Sequence, residues 1–122
     1  MNLVLVGIGG AFGGLCRFQL GKVISQRSNT AFPIGTFVIN ITGAFLLGAL
    51  TSIDVGNRTY LLLGDGFLGA YTTFSTFMYE GFHLFQEKEK LNALAYLLGT
   101  LFFGIIGYVC GYAIGKLFLS FQ

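Results

Sequence analysis

Three long stretches of the 122-residue sequence contain no charged side chain, and they set the strongest limit on the fold. They cover residues 3–16, 31–53 and 91–115. An α-helix needs about 20 apolar residues to cross a hydrocarbon core. Charged residues make up only 10% of the chain, whereas about a quarter is usual in a soluble domain. The sequence therefore predicts an all-α integral membrane protein.

We predict four transmembrane helices in a single domain of residues 1–122, because the length allows one domain only. Their approximate bounds are 2–21, 33–53, 60–80 and 91–118. The only proline, Pro33, suits the first turn of the second helix, where its missing N–H costs nothing. The N-terminal apolar stretch lacks the preceding Lys or Arg of a signal peptide, so we interpret it as a retained first span.

Basic residues are nearly balanced between the two sides of the membrane, which predicts insertion in both orientations. The first and third connectors share one side and carry Lys22, Arg27, Lys88 and Lys90. The other side carries Arg58, Lys116 and the terminal amine. This small excess favours cytoplasmic first and third connectors only weakly. Four short helices cannot readily enclose a pore as well as their own packing, so we expect an oligomer.

Glycines at four-residue spacing indicate close helix packing. They lie in the first and fourth spans: Gly9, Gly10, Gly13, Gly14, Gly107, Gly111 and Gly115. Small residues at this spacing let transmembrane backbones approach each other. The pattern is common in membrane bundles, and we assign it to packing.

The stretch GFLGAYTTFSTF, residues 66–77, places hydroxyls and phenylalanines inside an apolar span. Asn40 lies about 10 Å into the second span, and Phe74 and Phe77 reach a similar depth from the opposite face. Amide N–H groups, hydroxyls and ring edges can all face a small anion. With no fixed acid among them, they suit an anion that must bind and leave. The alternative is that the hydroxyls bond to their own helix and that the phenylalanines face lipid.

The segment from Gly69 to Thr73 is poor helix material, because it combines glycine with adjacent β-branched threonines. We predict that the third helix breaks near its middle, between Gly69 and Thr72. A break frees backbone carbonyls, which membranes tolerate only where protein or a cavity satisfies them. Discontinuous helices with ion sites at the midplane are a known transport device.

Four ionisable residues lie in or near the spans. Arg17 either extends its side chain to the interface, about 6 Å away near Gly21, or supplies positive potential to a vestibule. Asp65 lies about 8 Å into the third span, and we assign it no role. For Glu80 and His83 we expect solvated or capping positions.

The motif GAYTTFSTF at 69–77 resembles the signature of the Fluc (CrcB) fluoride channels. Residues 35–48, GTFVINITGAFLLG, resemble the second helix of that family, and GGLCR at 13–17 resembles its first-helix pattern. The likeness covers essentially the whole chain, although Ala70 replaces a frequent glycine. It implies a dual-topology, antiparallel homodimer with two pores that passes fluoride passively out of the cytoplasm and so protects against its toxicity. A heterodimer with a paralogue remains open.

The resemblance also implies roles for individual residues in a multi-pass protein of the prokaryotic plasma membrane. Asn40 would be the pore asparagine, and Phe74 and Phe77 would line the fluoride pathway. Ser75 and Thr76 would belong to the polar lining. The backbone carbonyls of Gly69 and Thr72 would hold a central structural Na⁺ shared by both subunits.

Other function classes fit the sequence less well. A small multidrug-type exporter needs a carboxylate in the first helix, but this span has Arg17 and no acid. An accessory subunit would explain the glycines but not Asn40 and its hydroxyls. An enzyme lacks candidate groups, since His83 is the only histidine and no metal-ligand spacing exists. A net charge of +2 gives no reason to expect a nucleic-acid partner.

Overall fold

The computed structural model describes residues 2–27 and 32–122, and within them it contains helices and no β-strand. The helices are α1 (Asn2–Arg27), α2 (Ile34–Ser52), α3 (Asn57–Tyr60), a π-helix called π1 (Leu61–Leu68), α4 (Gly69–Tyr71), α5 (Ser75–Gln86) and α6 (Lys90–Ser120). Helices α1, α2 and α6 are each long and apolar enough to cross a membrane. The third span is assembled from α3, π1, α4 and α5, and the predicted all-α membrane fold is confirmed.

The first helix is longer than predicted. It continues past residue 21 to Arg27, because Lys22, Gln26 and Arg27 are good helix formers that extend it beyond the apolar stretch. The rest of the predicted first connector, residues 28–31, lies outside the described residues. Pro33 immediately precedes α2, and its carbonyl accepts the Phe37 N–H at 3.1 Å.

Glycines bring the helices into backbone contact. A Cβ on Gly9 would collide with the Leu62 carbonyl, and one on Gly13 would collide with the Phe67 carbonyl, so α1 lies directly against π1. In the same way, Gly111 of α6 lies against the Phe45 carbonyl of α2. These contacts are the close packing that the spacing predicts.

The third span breaks later than predicted. Gly69 is helical, whereas Thr72 is extended with ψ 158°, and α5 starts only at Ser75. The break therefore lies at residues 72–74. Adjacent β-branched threonines disfavour the helix here more strongly than the single glycine does.

An eight-residue π-helix precedes the break, and nothing in the sequence pattern predicts it. Its Gly66 lies against the Val6 backbone, with the Val6 carbonyl 2.7 Å from where a Cβ would stand. π-Helical segments are rare in proteins, and those that do occur often lie at functional sites.

Two apolar clusters lie on either side of the break. The first joins α2 to the first half of the third span through Ile39, Leu50, Leu68 and Tyr71. The second joins α5 to α6 through Phe77, Leu84, Ala93 and Tyr96. Each half of the third span is therefore held by a different partner helix, and the break lies between the two clusters.

Candidate functional site

Asn40 of α2 holds the break through its side-chain amide. Its Nδ2 donates to the Thr73 carbonyl at 2.9 Å, and its Oδ1 accepts the Thr73 N–H at 2.9 Å. One side chain thus satisfies both backbone groups of a residue that has left the helix. Asn40 keeps its second N–H, since an amide has two.

Two backbone carbonyls at the break lose their helical donors. In a continuous α-helix the Thr73 N–H would donate to Gly69 and the Thr76 N–H to Thr72. Instead, the Thr73 N–H donates to Asn40, and the Thr76 N–H donates to Thr73 Oγ1 at 3.3 Å. Gly69 and Thr72 are the residues whose carbonyls the family resemblance assigns to a sodium ion. Free carbonyl oxygens are suitable ligands for a hard cation.

Helix α2 also fixes the two residues before Thr73. The Tyr71 and Thr42 hydroxyl oxygens lie 2.9 Å apart. Because Thr42 donates its proton to the Val38 carbonyl at 2.8 Å, Tyr71 is the donor between them. Gly43 lies against the Thr72 side-chain methyl, in a space that a Cβ would fill. Sequence reasoning missed Thr42 and Gly43, although both lie within one turn of Asn40.

An open cavity of about 570 Å³ lies along the break. It brings together Asn40, Gly69, Thr72, Phe74 and Phe77 from the predicted site, and its lining also includes Asp65, Thr73 and Thr100. Ser75, Thr76 and Arg17 are not part of this lining.

The presence of Asp65 corrects one sequence expectation, that no fixed acid stands near the site. Asp65 lines the same cavity as Asn40 and Phe74. The sequence alone does not show this, because Asp65 precedes the motif at residues 69–77. Its position at the cavity depends on π1, which the sequence pattern does not predict.

The two phenylalanines occupy different environments. Their ring centroids are 6.1 Å apart, with planes tilted by 46°. Phe77 is 6% exposed and packs against Tyr96 at 5.3 Å, whereas Phe74 is 74% exposed at the open side. Only Phe77 therefore belongs to the core of the single chain.

A second polar group lies behind Phe77. The fully buried Tyr96 donates its hydroxyl to Glu80 Oε1 at 3.3 Å, and Thr100 donates to the Tyr96 carbonyl at 2.6 Å. Glu80 is half-buried, so beside the solvated or capping position expected for it, it has this partner in α6. Tyr96 and Thr100 stand one turn apart in α6, and that polar spacing in an apolar helix could have drawn attention to them. His83 is exposed, 3.9 Å from Glu87.

The hydroxyls near the break have divided roles. Thr72 donates to the Leu68 carbonyl of its own helix at 2.9 Å, which is the alternative left open above. Thr73 instead caps α5 by accepting the Thr76 N–H. Within the described part of the chain, half-buried Arg17 forms no ion pair, and both interpretations of it stay open.

Comparison with known proteins agrees with the sequence resemblance. Residues 4–112 match the family described as CrcB-like protein, Camphor Resistance (CrcB). The Fluoride-specific ion channel FluC 2 of Clostridium acetobutylicum is 56% identical, over 96% of this chain and 100% of its own length. A Bacillus cereus FluC 2 is 45% identical over 94% of this chain and 98% of its own length. The Aquifex aeolicus FluC is 42% identical over 87% of this chain and 93% of its own length.

These relatives are named as ion channels and not as enzymes, which confirms the prediction of a non-enzymatic protein. The long apolar helices and the relatives together make the chain a multi-pass membrane protein. The chain belongs to the CrcB-like family.

Proposed function

We propose that this protein is a fluoride-selective channel that lets fluoride leave the cytoplasm by passive permeation and thereby protects the cell against fluoride toxicity. Two findings support the proposal. The relatives are named fluoride-specific ion channels, and Asn40 stands in one cavity with the Phe74 and Phe77 rings. The position of Asn40 is the observation that carries it.

Fluoride is small and strongly hydrated, so each water it loses must be replaced by a positioned donor. The second N–H of Asn40 is not needed for the Thr73 carbonyl. The half-buried Asn40 is rigidly held by its two bonds to Thr73, so this N–H has a fixed direction. Positive ring edges of Phe74 and Phe77 would supply weaker attraction along the path. Ser75 and Thr76, outside the cavity lining, would contribute only further along the route.

The protein would act as an antiparallel, dual-topology homodimer. Asp65 and Gly69 are exposed on the single chain although both lie within a span. Lipid satisfies neither a carboxylate nor a free carbonyl. Protein must therefore cover the open cavity that Asp65 and Gly69 line, which we call the groove. A second copy in the opposite orientation would bring two breaks together across a two-fold axis. A paralogous subunit with the same groove would serve equally.

A sodium ion at this axis would be held by the Gly69 and Thr72 carbonyls, two from each subunit. These carbonyls suit a cation because their usual helical donors bond elsewhere: the Thr73 N–H donates to Asn40, and the Thr76 N–H donates to Thr73 Oγ1. The ion would supply a fixed positive charge between the subunits. The protein residues supply its ligands and exclude lipid from them.

Fluoride efflux from liposomes that contain the purified protein tests the proposal. With a potassium ionophore present to balance charge, a fluoride electrode should record rapid efflux, and chloride-loaded vesicles should lose little. A proton-coupled exporter would instead require a pH gradient. Absence of fluoride efflux from vesicles with verified, folded protein would reject the channel function.

A further inference from the structure

Asp65 is a carboxylate inside the third span that the proposed fluoride path does not use. It lies in the middle of π1, eight residues past the start of α3 at Asn57. Its side chain is exposed on the single chain and lines the cavity at the break. Within residues 2–27 and 32–122, it makes no hydrogen bond or ion pair. A carboxylate at such a depth needs a partner.

The position of Asp65 relative to Gly69 indicates the kind of partner. Helical structure is continuous from π1 into α4, because the Gly69 N–H still donates to the Gly64 and Gly66 carbonyls. Asp65 and Gly69 are four residues apart in this continuous segment, and both line the same cavity. The Gly69 carbonyl at this cavity has lost its helical donor, because the Thr73 N–H donates to Asn40.

The groups that share this cavity favour a cation over a basic side chain. No Lys, Arg or His is among the described residues that line it. Beside the Asn40 amide, its lining offers hydroxyl and backbone carbonyl oxygens, and carboxylate with carbonyl oxygen is the ligand combination of hard cations. An unneutralised carboxylate in this cavity would also oppose an anion that passes Asn40.

We propose that the Asp65 carboxylate is part of the alkali-cation site at the break and increases its affinity for sodium. This inference rests on the sodium site of the proposed function and adds to it a charged group from π1. In the antiparallel dimer, both Asp65 side chains face the same covered groove. The bound cation then balances their charge and keeps the groove compatible with a passing anion.

The test measures thermal unfolding of the purified dimer in detergent as a function of sodium concentration, with N-methylglucamine as the replacement cation. Asp65→Asn should raise the half-saturating sodium concentration by about tenfold, as loss of a supporting metal partner commonly does. Asp54→Asn removes the same charge from an exposed connector and should leave the sodium dependence unchanged. Asp65→Glu should give a half-saturating sodium concentration between those of wild type and Asp65→Asn. If Asp65→Asn does not form dimers, the comparison is made with Asp65→Glu.

Each outcome has a separate meaning. If the wild-type dimer responds to sodium and both Asp65 variants have the same half-saturating sodium concentration as wild type, the inference is overturned. A wild-type dimer with no sodium dependence would reject the sodium site and this inference together. Fluoride efflux from the same preparation then shows whether the channel function itself survives.

Discussion

The Asn40 side chain and the Thr73 backbone exchange two hydrogen bonds of 2.9 Å across 33 residues of sequence. This pairing satisfies both backbone groups of Thr73 at a point where the helix breaks inside the membrane, and leaves the Gly69 and Thr72 carbonyls as the groups without helical donors. Each unpaired buried backbone group would cost about 1–3 kcal/mol. Asn40 therefore holds the break open and at the same time faces the cavity beside it.

Asn40→Asp should abolish fluoride flux. The change keeps the volume and the Oδ1 acceptor for Thr73 but removes both N–H donors. The introduced carboxylate, when ionised, would repel an anion 4 Å away by about 4 kcal/mol at an effective dielectric of 20. Liposome efflux measures the effect, and gel filtration checks that dimers assemble.

Asn57→Asp is the matched control, because it makes the same chemical change at an exposed position in the second connector. It should retain wild-type flux. Wild-type flux in correctly assembled Asn40→Asp dimers would show that the pore lies elsewhere.

Replacing either phenylalanine by isoleucine should cut flux sharply, because an aliphatic side chain has no positive ring edge. The two variants should differ in stability. Phe77→Ile loses packing against Tyr96 in the core and should cost about 1–3 kcal/mol, whereas Phe74→Ile should cost little. Thermal unfolding beside efflux separates the two effects. Equal losses of stability would show that Phe74 is as tightly packed in the dimer as Phe77.

Gly13→Ala should destabilise the fold, whereas Gly14→Ala should not. A Cβ on Gly13 meets the Phe67 carbonyl, which is rigid helix backbone, but a Cβ on Gly14 has no neighbour within 4 Å in the described part of the chain. Overpacking of this kind costs about 1–3 kcal/mol. Monodispersity and unfolding temperature in detergent provide the measurement. A destabilised Gly14→Ala would instead place Gly14 at the contact between subunits.

The sequence predicts the elements that depend on local composition. Charge-free stretches reveal the spans, and the threonines after Gly69 reveal a break, because both follow from the chemistry of a few neighbouring residues. The depth estimate also brings Asn40 level with Phe74 and Phe77, and the structure places all three along one cavity.

The sequence does not reveal contacts that depend on how helices pack. The pairings of Thr42 with Tyr71 and of Glu80 with Tyr96 join residues that are 29 and 16 positions apart. The π-helix that exposes Asp65 arises where α1 lies against the third span, and a pattern within one segment does not encode it. The pairing of Asn40 with Thr73 also joins two helices, so the sequence pattern of one segment does not predict it.

Single cysteines should be labelled from both sides of intact cells, since the basic residues barely favour one orientation. Asn57→Cys and Glu87→Cys suit the test, because both sites are exposed, lie in different connectors and leave the basic residues unchanged. The background must lack the native thiols of Cys16 and Cys110, which are both exposed. Labelling of each site from one side only would reject dual topology.

Thr73→Val should weaken the proposed sodium dependence of the dimer, whereas Thr73→Ser should preserve it. Thr73 Oγ1 accepts the Thr76 N–H at 3.3 Å and so keeps that donor away from the Thr72 carbonyl. Valine has a similar shape but no acceptor, so the Thr76 N–H would return to Thr72 and compete with the proposed ion for that oxygen. A competing hydrogen bond from the Thr76 N–H to the Thr72 carbonyl is worth about 1 kcal/mol, which corresponds to about a fivefold increase in half-saturating sodium. Flux alone would not isolate this effect, because Thr73 also lines the cavity. The sodium titration of thermal unfolding does isolate it, and an unchanged titration in Thr73→Val would show that the Thr72 carbonyl is not a ligand.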